Sequence, residues 1–430
     1  MRRPRPRTIR GAQAAAPCAG VALTLVLALV ASCGSTVDSL GYDGAGGPPL
    51  RPLTGPASYP NAFRDVLGKT DAEINAKIAA AFAQLFHGDP QTQAIYVPVG
   101  TDRALIQDIY HDDVRTEGIG YAMLIAVELY KRDELDRLWT YAKSTLQIAD
   151  GPASGYFTSF CDLDAGTVDC LDPFGLQQML MALILAHERY TRAGAAVGPV
   201  DYQTDAKRLL ALMRHKQDQN GGVVDGVTDT FDDSSHLVFD VPNVSAAGVG
   251  RPAIEMPAYY DLWAQATGDP FWTSAAVAAR AYWRRSAHPA TGLLPVRASF
   301  ATGAPVVGSE NFESESYRTL LNLALDRIWS ASDGWTTDES DRLLSFFVRQ
   351  GATSYGASFT LDGAVTITSS HEPALVAMNG VLALTATLPE RIGFINAVWN
   401  QELVTGFTRY YPGLLDLLAL LALSGQLRVY

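Results

Sequence analysis

The sequence predicts an all-α domain, and three observations lead to this prediction. Apolar residues recur at the spacing of one helix face in segments such as 133–148, where Leu135 and Leu138 share a stripe. Other segments, such as 175–190, are apolar on nearly every side, and a helix of that kind must be buried on every side. The two kinds of segment mostly alternate along the chain, which indicates paired helices.

Twelve helical segments are expected beyond residue 60. Start and stop signals support their bounds, because Asp269 and Pro270 form an N-cap followed by a first-turn proline and Gly351 follows a helix end. In chain order the segments are 71–86, 117–131, 133–148, 175–190, 201–216, 254–267, 269–287, 314–329, 337–350, 373–387, 390–402 and 412–424.

The alternation of these segments predicts how the helices pack. Apolar helices are best buried as an inner ring, with the amphipathic helices around them as an outer ring. We therefore predict an (α/α)6 barrel of about twelve helices in six inner and outer pairs, over residues 61–430. In such a barrel the inner helices run in one direction, so their N-termini gather at one end. The loops at that end would build a cleft.

Residues 1–32 have the pattern of an export signal. Five arginines within the first ten residues precede an apolar run at 20–31, which is too short to cross a bilayer, since a span takes about 20 apolar residues. The run ends in VASC, which resembles a bacterial lipobox, so we predict a lipoprotein signal peptide over 1–32 and a lipid on Cys33. The alternative is an ordinary signal peptide with an incidental cysteine.

Residues 33–60 are rich in glycine, proline and serine and carry few large apolar groups. Such a stretch cannot bury enough surface to fold, so we predict a flexible tether between the lipidated Cys33 and the domain. The protein would then be exported and held at a bacterial membrane by its lipid anchor only. Gly34, where an aspartate would signal retention, favours the outer membrane or cell surface in a Gram-negative organism.

Charge and cysteine content exclude some classes of partner. The net charge is −12, and removal of the five arginines of residues 1–32 would lower it by five to −17. A chain this acidic, with no basic run, argues against a nucleic-acid partner. Of the four cysteines, one lies in the signal peptide and Cys33 would carry the lipid. Cys161 and Cys170 remain, and in an exported protein they can form a disulfide. No histidine pair lies near them at the spacing of zinc ligands, so we expect no metal and no cofactor.

Two acidic residues stand at the start of predicted inner helices. Glu117 opens helix 117–131 and Glu315 lies in the first turn of helix 314–329. Each has a structural explanation, because helix N-termini favour negative charge. Together they indicate more, since a barrel would direct both into the same cleft. Signals of other hydrolases are absent, because the chain has no G-x-S-x-G and no H-E-x-x-H.

Two carboxyl groups across a groove are what glycoside hydrolysis requires. A protonated carboxyl gives its proton to the departing glycosidic oxygen, and an ionised one activates a water or attacks the sugar carbon. A helix N-terminus suits the ionised base but opposes the acid, whose pKa must be kept high by burial or by neighbouring charge. Asp112 and Asp113, just upstream of Glu117, are candidates to supply that charge.

Around these residues the chain resembles glycoside hydrolase family 8, and within it the reducing-end xylose-releasing exo-oligoxylanases. The resemblance covers about residues 60–430 and implies an (α/α)6 barrel, in agreement with the helix count. It also implies an inverting reaction, with carboxyl groups about 6.5–9.5 Å apart. Seven fragments carry it in order: DDVRTEGIGYAM, SFCDLDAG, LVFDVPN, IEMPAYYDLWA, AHPATGLLP, SESYRTLLNLALD and FTRYYPGLLDLLALLALSG.

The resemblance implies roles for the two acids. Glu117 would be the general acid. The family's base is an aspartate in a D-x-x-R frame, and here that frame holds Glu315 and Arg318. The general base would therefore be a glutamate, which is one methylene longer than the family's residue, and catalytic geometry matters at the scale of an ångström.

A second difference from the family concerns a further aspartate, which helps to hold the distorted sugar. Phe174 stands at that position in CLDPFGLQQ. Asp172 or Asp169 would have to take the role, or the role is lost.

Sugar sites also need flat apolar surfaces, and aromatic residues in the matching segments are candidates to provide them, together with Arg318 as a polar contact. The alternative is that aromatics on inner helices belong to the core. The candidates are Tyr121, Tyr259, Tyr260, Trp399, Tyr410 and Tyr411.

The predicted function is that of an inverting glycoside hydrolase acting on β-1,4-linked sugars, with xylo-oligosaccharides preferred. Endoglucanase or chitosanase activity of the same family is one alternative. The other is a catalytically weak glycan-binding surface lipoprotein, which the altered base and Phe174 would favour. The sequence leaves the choice between internal and terminal cleavage open.

Overall fold

The structure is a computed structural model, and the residues that it describes are 59–159, 171–191, 194, 198–330 and 334–430. The predicted signal peptide and Cys33 precede them, as does nearly all of the predicted tether. Cys161 and Cys170 lie in the gap after residue 159, so their disulfide stays a prediction. No helix in the described ranges is long and apolar enough to cross a membrane.

Helices dominate the described residues, and all twelve predicted helical segments are helical. A single-turn helix precedes them, and π-helical turns at Ala142–Leu146 and His187–Thr191 extend the fourth and fifth helices. The helices are α1 (Ala62–Asp65), α2 (Asp71–His87), α3 (Thr116–Glu128), α4 (Arg132–Tyr141), α5 (Pro173–Ala186), α6 (Tyr202–Asn220), α7 (Pro257–Thr267), α8 (Pro270–Ser286), α9 (Arg318–Ser330), α10 (Gly334–Arg349), α11 (Pro373–Leu382), α12 (Arg391–Asn400) and α13 (Tyr410–Leu423).

Local sequence decides where several helices begin and end. α2 begins with a capping box, in which the side chains of Thr70 and Glu73 each accept a hydrogen bond from the other's backbone N–H. The predicted cap of α8 is present, because the Asp269 carboxylate accepts a hydrogen bond from the N–H of Phe271 at 2.9 Å. Gly351, just beyond α10, has a φ of +99°, which glycine adopts at little cost.

The helices differ in burial as their apolar patterns predict. Every residue of α3 and of α5 is buried, and α13 leaves only Tyr411 partly exposed. In contrast, α4, α8 and α10 bury one face each. An all-buried helix needs neighbours on every side, so the burial pattern divides the helices into a central and a peripheral set.

The central set packs side by side. α3 lies between α5 and α13, α11 lies between α9 and α13, and α7 packs on α9. α5 and α7 are joined through buried side chains, since the Tyr260 hydroxyl donates to Gln177 Oε1 at 3.0 Å and the Tyr259 hydroxyl to Gln178 Oε1 at 2.9 Å. Each peripheral helix packs on a central one: α2 on α13, α4 on α3, α6 on α5, α8 on α7, α10 on α9 and α12 on α11.

Short strands in the connecting segments accompany the predicted helices. They form one three-stranded and two two-stranded antiparallel sheets. Strands of two to six residues are too short for a period-2 pattern to stand out in the sequence, and they pair the backbone of loops that would otherwise leave polar groups unsatisfied. The strands are β1 (Tyr96–Val99), β2 (Arg103–Asp108), β3 (Asp113–Val114), β4 (Val249–Gly250), β5 (Ala298–Ser299), β6 (Ser358–Phe359) and β7 (Thr366–Thr368).

Candidate active site

The starts of four central helices meet at one place, as the sequence predicts for inner helices. The Thr116 hydroxyl at the start of α3 donates to Asp172 Oδ2 before α5 at 2.9 Å. Arg318, the first residue of α9, binds Glu117 in the first turn of α3. The hydroxyl of Tyr410, the first residue of α13, lies 3.4 Å from Glu117 Oε1. The sequence-predicted acids therefore lie where these helix ends converge.

A single guanidinium binds both predicted catalytic carboxylates. Arg318 donates through Nη2 to Glu117 Oε2 and to Glu315 Oε1, the latter at 3.1 Å, and through Nη1 to Glu315 Oε2. The side chains of Arg318 and Glu117 are 4% and 11% exposed, whereas that of Glu315 is 40% exposed. Glu117 thus sits in the floor of the site and Glu315 faces the solvent side.

The environment separates the pKa values of the two carboxyl groups. Burial raises the pKa of Glu117 to about 7, with the charges of Glu315 and Asp172 acting in the same direction and Arg318 opposing them. Burial would also raise the pKa of Glu315, but Arg318 and Arg251 together outweigh it and lower that pKa to about 2. At mildly acidic pH the first carboxyl is protonated and the second is ionised, which is the division of roles that an acid and a base require.

Burial, one of the two predicted causes, contributes most to the raised pKa of Glu117, but the neighbouring charges differ from the candidates. Asp113 is paired with Arg115 at 3.0 Å, and Asp112 accepts a hydrogen bond from Gln107 at 3.1 Å. The charges that act most strongly on the pKa of Glu117 come from Arg318, Glu315, Asp172 and Arg115 rather than from these two aspartates. Burial at the helix junction and the acids across the cleft replace them.

A second arginine links three acids around the cleft. Arg251 lies 3.3 Å from Glu315 Oε2, 2.7 Å from Asp240 Oδ1 and 3.6 Å from Asp172 Oδ1. Arg297 binds the other oxygen of Asp240 at 2.7 Å. The cleft has a volume of about 370 Å³ and is lined by Arg115, Glu117, Ser159, Leu171, Asp172, Asp240, Val241, Arg251, Val296, Arg297, Ser309, Glu315 and Arg318.

Asp172 lies in the cleft, but much of its carboxylate is already engaged. It caps α5 by accepting hydrogen bonds from the N–H groups of Phe174 and Gly175, both at 3.1 Å, in addition to the Thr116 hydroxyl. A carboxylate offers about four acceptor positions, so little capacity is left for a sugar hydroxyl. A β-carbon at Gly175 would collide with Thr116, so this glycine permits the close approach of α3 and α5.

Phe174, which stands where the family has an aspartate, does not face the cleft. Its ring is 1% exposed and packs under the Arg318 guanidinium, with 4.8 Å between the guanidinium carbon and the ring centroid. The Tyr121 ring meets it edge-on at 5.5 Å. Phe174 therefore supports the arginine that binds both carboxylates. Asp169, the other predicted substitute, lies outside the described residues.

The predicted aromatic surfaces divide into two groups. Tyr410 and Tyr411 lie at the site: the first beneath Glu117, the second with its hydroxyl donating to the Ser314 carbonyl at 2.9 Å. Tyr121 is also close, but it is 1% exposed and belongs to the floor.

The other three aromatic candidates are not at the cleft, which corrects the prediction. Tyr259 and Tyr260 are 3% and 0% exposed, and their hydroxyls bind α5 within the core. Trp399 packs on Phe63 at 5.0 Å and under the ammonium of Lys69 at 4.8 Å, beside α1. Apolar helices bury aromatics on every side, so pattern alone could not tell which ones face the cleft.

A second cavity next to the first was missed by sequence reasoning. It has a volume of about 450 Å³ and is lined by Tyr410, whose hydroxyl lies 3.4 Å from Glu117 Oε1 in the first cavity. Tyr110 and Phe407 are 57% and 60% exposed and meet edge-on at 5.4 Å. The available signal was their position, since Phe407 opens the matching fragment FTRYYPGLLDLLALLALSG and Tyr110 stands two residues before DDVRTEGIGYAM. The cavity is lined by Asp108, Tyr110, His111, Ser314, Glu372, Pro373, Val404, Thr408, Tyr410, Tyr411 and Pro412.

Within the described residues, no three histidine, cysteine, aspartate or glutamate side chains are grouped so that they could hold a metal ion. The acids of the cleft are instead paired with Arg251, Arg297 and Arg318. The arrangement suits a buried carboxyl group that donates a proton and an exposed carboxylate that accepts one from another molecule.

Comparison with known proteins gives concordant results. The reducing-end xylose-releasing exo-oligoxylanase Rex8A of Paenibacillus barcinonensis is 34% identical over 382 residues, which is 87% of this chain and 97% of the relative. Endoglucanase C of Ruminiclostridium cellulolyticum is 25% identical over 281 residues, which is 64% of this chain and 55% of that enzyme. No family model matches the chain.

A solved structure agrees with these relatives. The crystal structure of a GH8 xylobiose complex from Teredinibacter turnerae superposes with a TM-score of 0.78 at 31% identity. The superposition covers 86% of this chain and 97% of the other.

Proposed function

The chain belongs to glycoside hydrolase family 8, and we propose that it hydrolyses β-1,4-linked xylo-oligosaccharides with inversion at the anomeric carbon. The observation that carries the proposal is the separation of pKa values between two carboxyl groups that share one guanidinium. The names of the exo-oligoxylanase relatives support xylo-oligosaccharides as the substrate class.

In the proposed reaction Glu117 gives its proton to the glycosidic oxygen as the bond to the anomeric carbon breaks. Glu315 takes a proton from a water that attacks that carbon from the opposite face. The products are a free sugar hydroxyl and a hemiacetal of inverted configuration. Burial raises the pKa of Glu117 to about 7 and so keeps it protonated at mildly acidic pH, and Arg318 with Arg251 keeps Glu315 ionised.

We further propose that the six central helices close into the inner ring of an (α/α)6 barrel. The side-by-side packing of α3, α5, α7, α9, α11 and α13, with one peripheral helix on each, supports this architecture. A closed inner ring would bring helix starts from both halves of the chain to one cleft. This explains how Glu117 and Arg318, 201 residues apart, come into contact.

The two adjacent cavities support a direction for the bound sugar chain. Glu117 lines the first cavity, and its Oε1 lies near the hydroxyl of Tyr410, which lines the second. Glu315 lines only the first. Because the base must reach the anomeric carbon and the acid the leaving oxygen, the attacked sugar would occupy the first cavity. The leaving group would occupy the second.

Tyr110 and Phe407 are then expected to bind the leaving group. Tyr110→Ala and Phe407→Ala should each lower kcat/KM for xylotetraose about tenfold, corresponding to about 1.4 kcal/mol, because a sugar ring loses an apolar surface to cover. Turnover of β-xylobiosyl fluoride should not change, since fluoride leaves the second cavity empty. Initial rates on the two substrates test this.

Tyr130→Ala is the matched control for these variants. Tyr130 is 56% exposed, as Tyr110 is 57%, but it follows the end of α3 opposite to Glu117. It should leave both rates unchanged. Equal losses on both substrates for Tyr110→Ala would place the aromatic pair on the side of the attacked sugar and contradict the proposed direction.

The proposed function is tested by incubating the purified protein with xylo-oligosaccharides, cello-oligosaccharides and chitosan. Reducing ends should appear fastest with xylo-oligosaccharides, and NMR of the first product should show the α-anomer. Preferred cleavage of cello-oligosaccharides or chitosan would replace the substrate class with that of the endoglucanase or chitosanase alternative. Binding without cleavage of any of the three would support the glycan-binding lipoprotein instead.

We also propose that a lipid on Cys33 holds the enzyme at a bacterial membrane, with the outer membrane or cell surface preferred. The support is the charged start, the short apolar run and the VASC sequence of residues 1–33. Cys33→Ser should move the protein from the membrane fraction to the soluble fraction of an expressing bacterium. Cys18→Ser, inside the signal peptide, is the control. An unchanged distribution for Cys33→Ser would reject the anchor.

A further inference from the structure

We infer that Arg251 is the positioning residue that allows a glutamate to serve as the general base, by holding the carboxylate of Glu315 from a segment other than the one that carries Glu315 and Arg318. The inference rests on the proposed function, because it assigns a partner to the base of that reaction.

The base needs a second partner because its first partner is shared. Arg318 binds Glu315, but the same guanidinium also binds Glu117. Arg251 binds Glu315 at 3.3 Å, and its other acidic partners are Asp240 and Asp172 rather than Glu117. The two cations come from different elements, one in α9 and one in the segment after β4. Both donate through Nη1 to Glu315 Oε2, so two separate elements restrain the end of this side chain.

The glutamate side chain requires such a restraint more than an aspartate would. It has one more rotatable bond, and the Glu315 side chain is 40% exposed, so packing leaves it room to move. A base displaced by about an ångström loses much of its effect on the attacking water. A contact that reaches the end of the longer side chain restores the geometry.

The backbone around Arg251 is itself firmly held. The Gly250 carbonyl accepts a hydrogen bond from the Tyr282 hydroxyl at 2.9 Å, and the Pro252 carbonyl accepts one from Trp283 Nε1 at 2.8 Å. Both donors are buried residues of α8. The arginine therefore projects from a backbone that is anchored on each side, which makes it suited to fix another group.

The remaining contacts of Arg251 orient its guanidinium. Nε lies 2.7 Å from Asp240 Oδ1, and Nη2 donates to the Asp240 carbonyl at 3.3 Å. Asp240 keeps Arg297 as a partner at 2.7 Å when Arg251 is replaced. Asp240 and Glu315 therefore each keep one arginine partner when the Arg251 guanidinium is lost. Asp172 loses its arginine partner but keeps its cap hydrogen bonds.

Arg251→Met should lower kcat at least 30-fold on both xylotetraose and β-xylobiosyl fluoride, with KM changed less than threefold. The loss should affect both substrates because the base is needed whichever group leaves. The acid limb, meaning the fall of kcat/KM on the acidic side of its pH profile, should also shift to higher pH by about one unit or more. The reason is that Arg251 helps to lower the pKa of Glu315, which rises when the arginine is removed. The charged and titratable groups that share the cleft with Glu315 or act on it are Arg318, Arg251, Arg115, Arg297, Glu117, Asp172, Asp240 and Tyr411.

Two further variants separate positioning from a structural effect. Arg251→Lys should recover part of kcat, and guanidinium ion in millimolar amounts should partly rescue Arg251→Ala. Arg214→Met is the matched control, because Arg214 is 13% exposed against 17% for Arg251 and binds Asp233 at 2.7 Å away from the cleft. This variant should leave kcat unchanged, together with the acidic and basic limbs of the pH profile of kcat/KM.

The outcomes distinguish this inference from the proposed function. An unaltered protein that cleaves neither substrate refutes the proposed function itself. An active protein whose Arg251→Met variant keeps kcat and the acid limb refutes only the role of Arg251. A loss with an unmoved acid limb and no rescue by guanidinium makes Arg251 structural and also overturns the inference.

Discussion

Glu117→Gln is expected to lower kcat on xylotetraose by about three orders of magnitude or more. The variant keeps the shape of the side chain but has no proton to give to the departing oxygen, and general acid catalysis contributes about 10²–10⁴-fold. KM should change little, because the amide oxygen still accepts a hydrogen bond from Arg318 and the amide NH2 group can donate one to the Tyr410 hydroxyl. Initial rates with purified protein measure the effect.

β-Xylobiosyl fluoride gives the matched control for the acid. Fluoride departs without protonation, so Glu117→Gln should keep most of its rate on this substrate. The pH dependence supplies a second readout: in the unaltered enzyme kcat/KM on xylotetraose should fall above about pH 7, as Glu117 loses its proton. A variant that cleaves xylotetraose at the normal rate, or loses the fluoride substrate equally, would contradict the assignment of Glu117 as the acid.

Glu315→Gln is expected to abolish turnover of both substrates, by at least about 10³-fold each. An amide cannot take a proton from the attacking water, and that step is common to glycosides and fluorides. Glu117→Gln and Glu315→Gln should therefore differ in their rates on the fluoride substrate. This difference separates the general acid from the general base without reference to any relative.

Glu315→Asp measures what the longer side chain contributes. An aspartate on this backbone is one methylene shorter, so we expect it to lose reach toward Arg251 and to retain partial activity. Glu313→Gln is the control, because Glu313 is a carboxylate two residues away that does not line the cleft. Full activity of Glu315→Gln would remove the base assignment, and equal losses for Glu313→Gln would indicate damage to the segment before α9.

Most of the fold followed from the sequence. Twelve helical segments were predicted by apolar periodicity and by caps such as Asp269, because burial of an amphipathic face is read directly from residue spacing. The short strands could not be predicted, since two to six residues give no reliable alternation. The pairing of central and peripheral helices followed from whether a segment is apolar on one side or on all sides.

The candidate site was predicted in part. The two acids were chosen because they stand at the starts of predicted inner helices, which a barrel would direct into one cleft, and the family resemblance added Arg318. The aromatic candidates were harder, because Tyr259, Tyr260 and Tyr410 look alike on apolar helices and only packing separates core from cleft. Tyr110 and Phe407 were missed because they stand in segments without periodicity.

The sequence by itself determined which segments are helical, that acids stand at the starts of two of them, and that the chain resembles glycoside hydrolase family 8. Only the tertiary structure decided which carboxyl is held protonated and which ionised. That difference depends on burial and on the distances to Arg318 and Arg251, which join residues up to 201 positions apart. It also decided that Phe174 lies beneath Arg318, whereas Asp172 reaches the cleft. Contacts between residues so distant in the chain leave no local pattern from which these roles could be read.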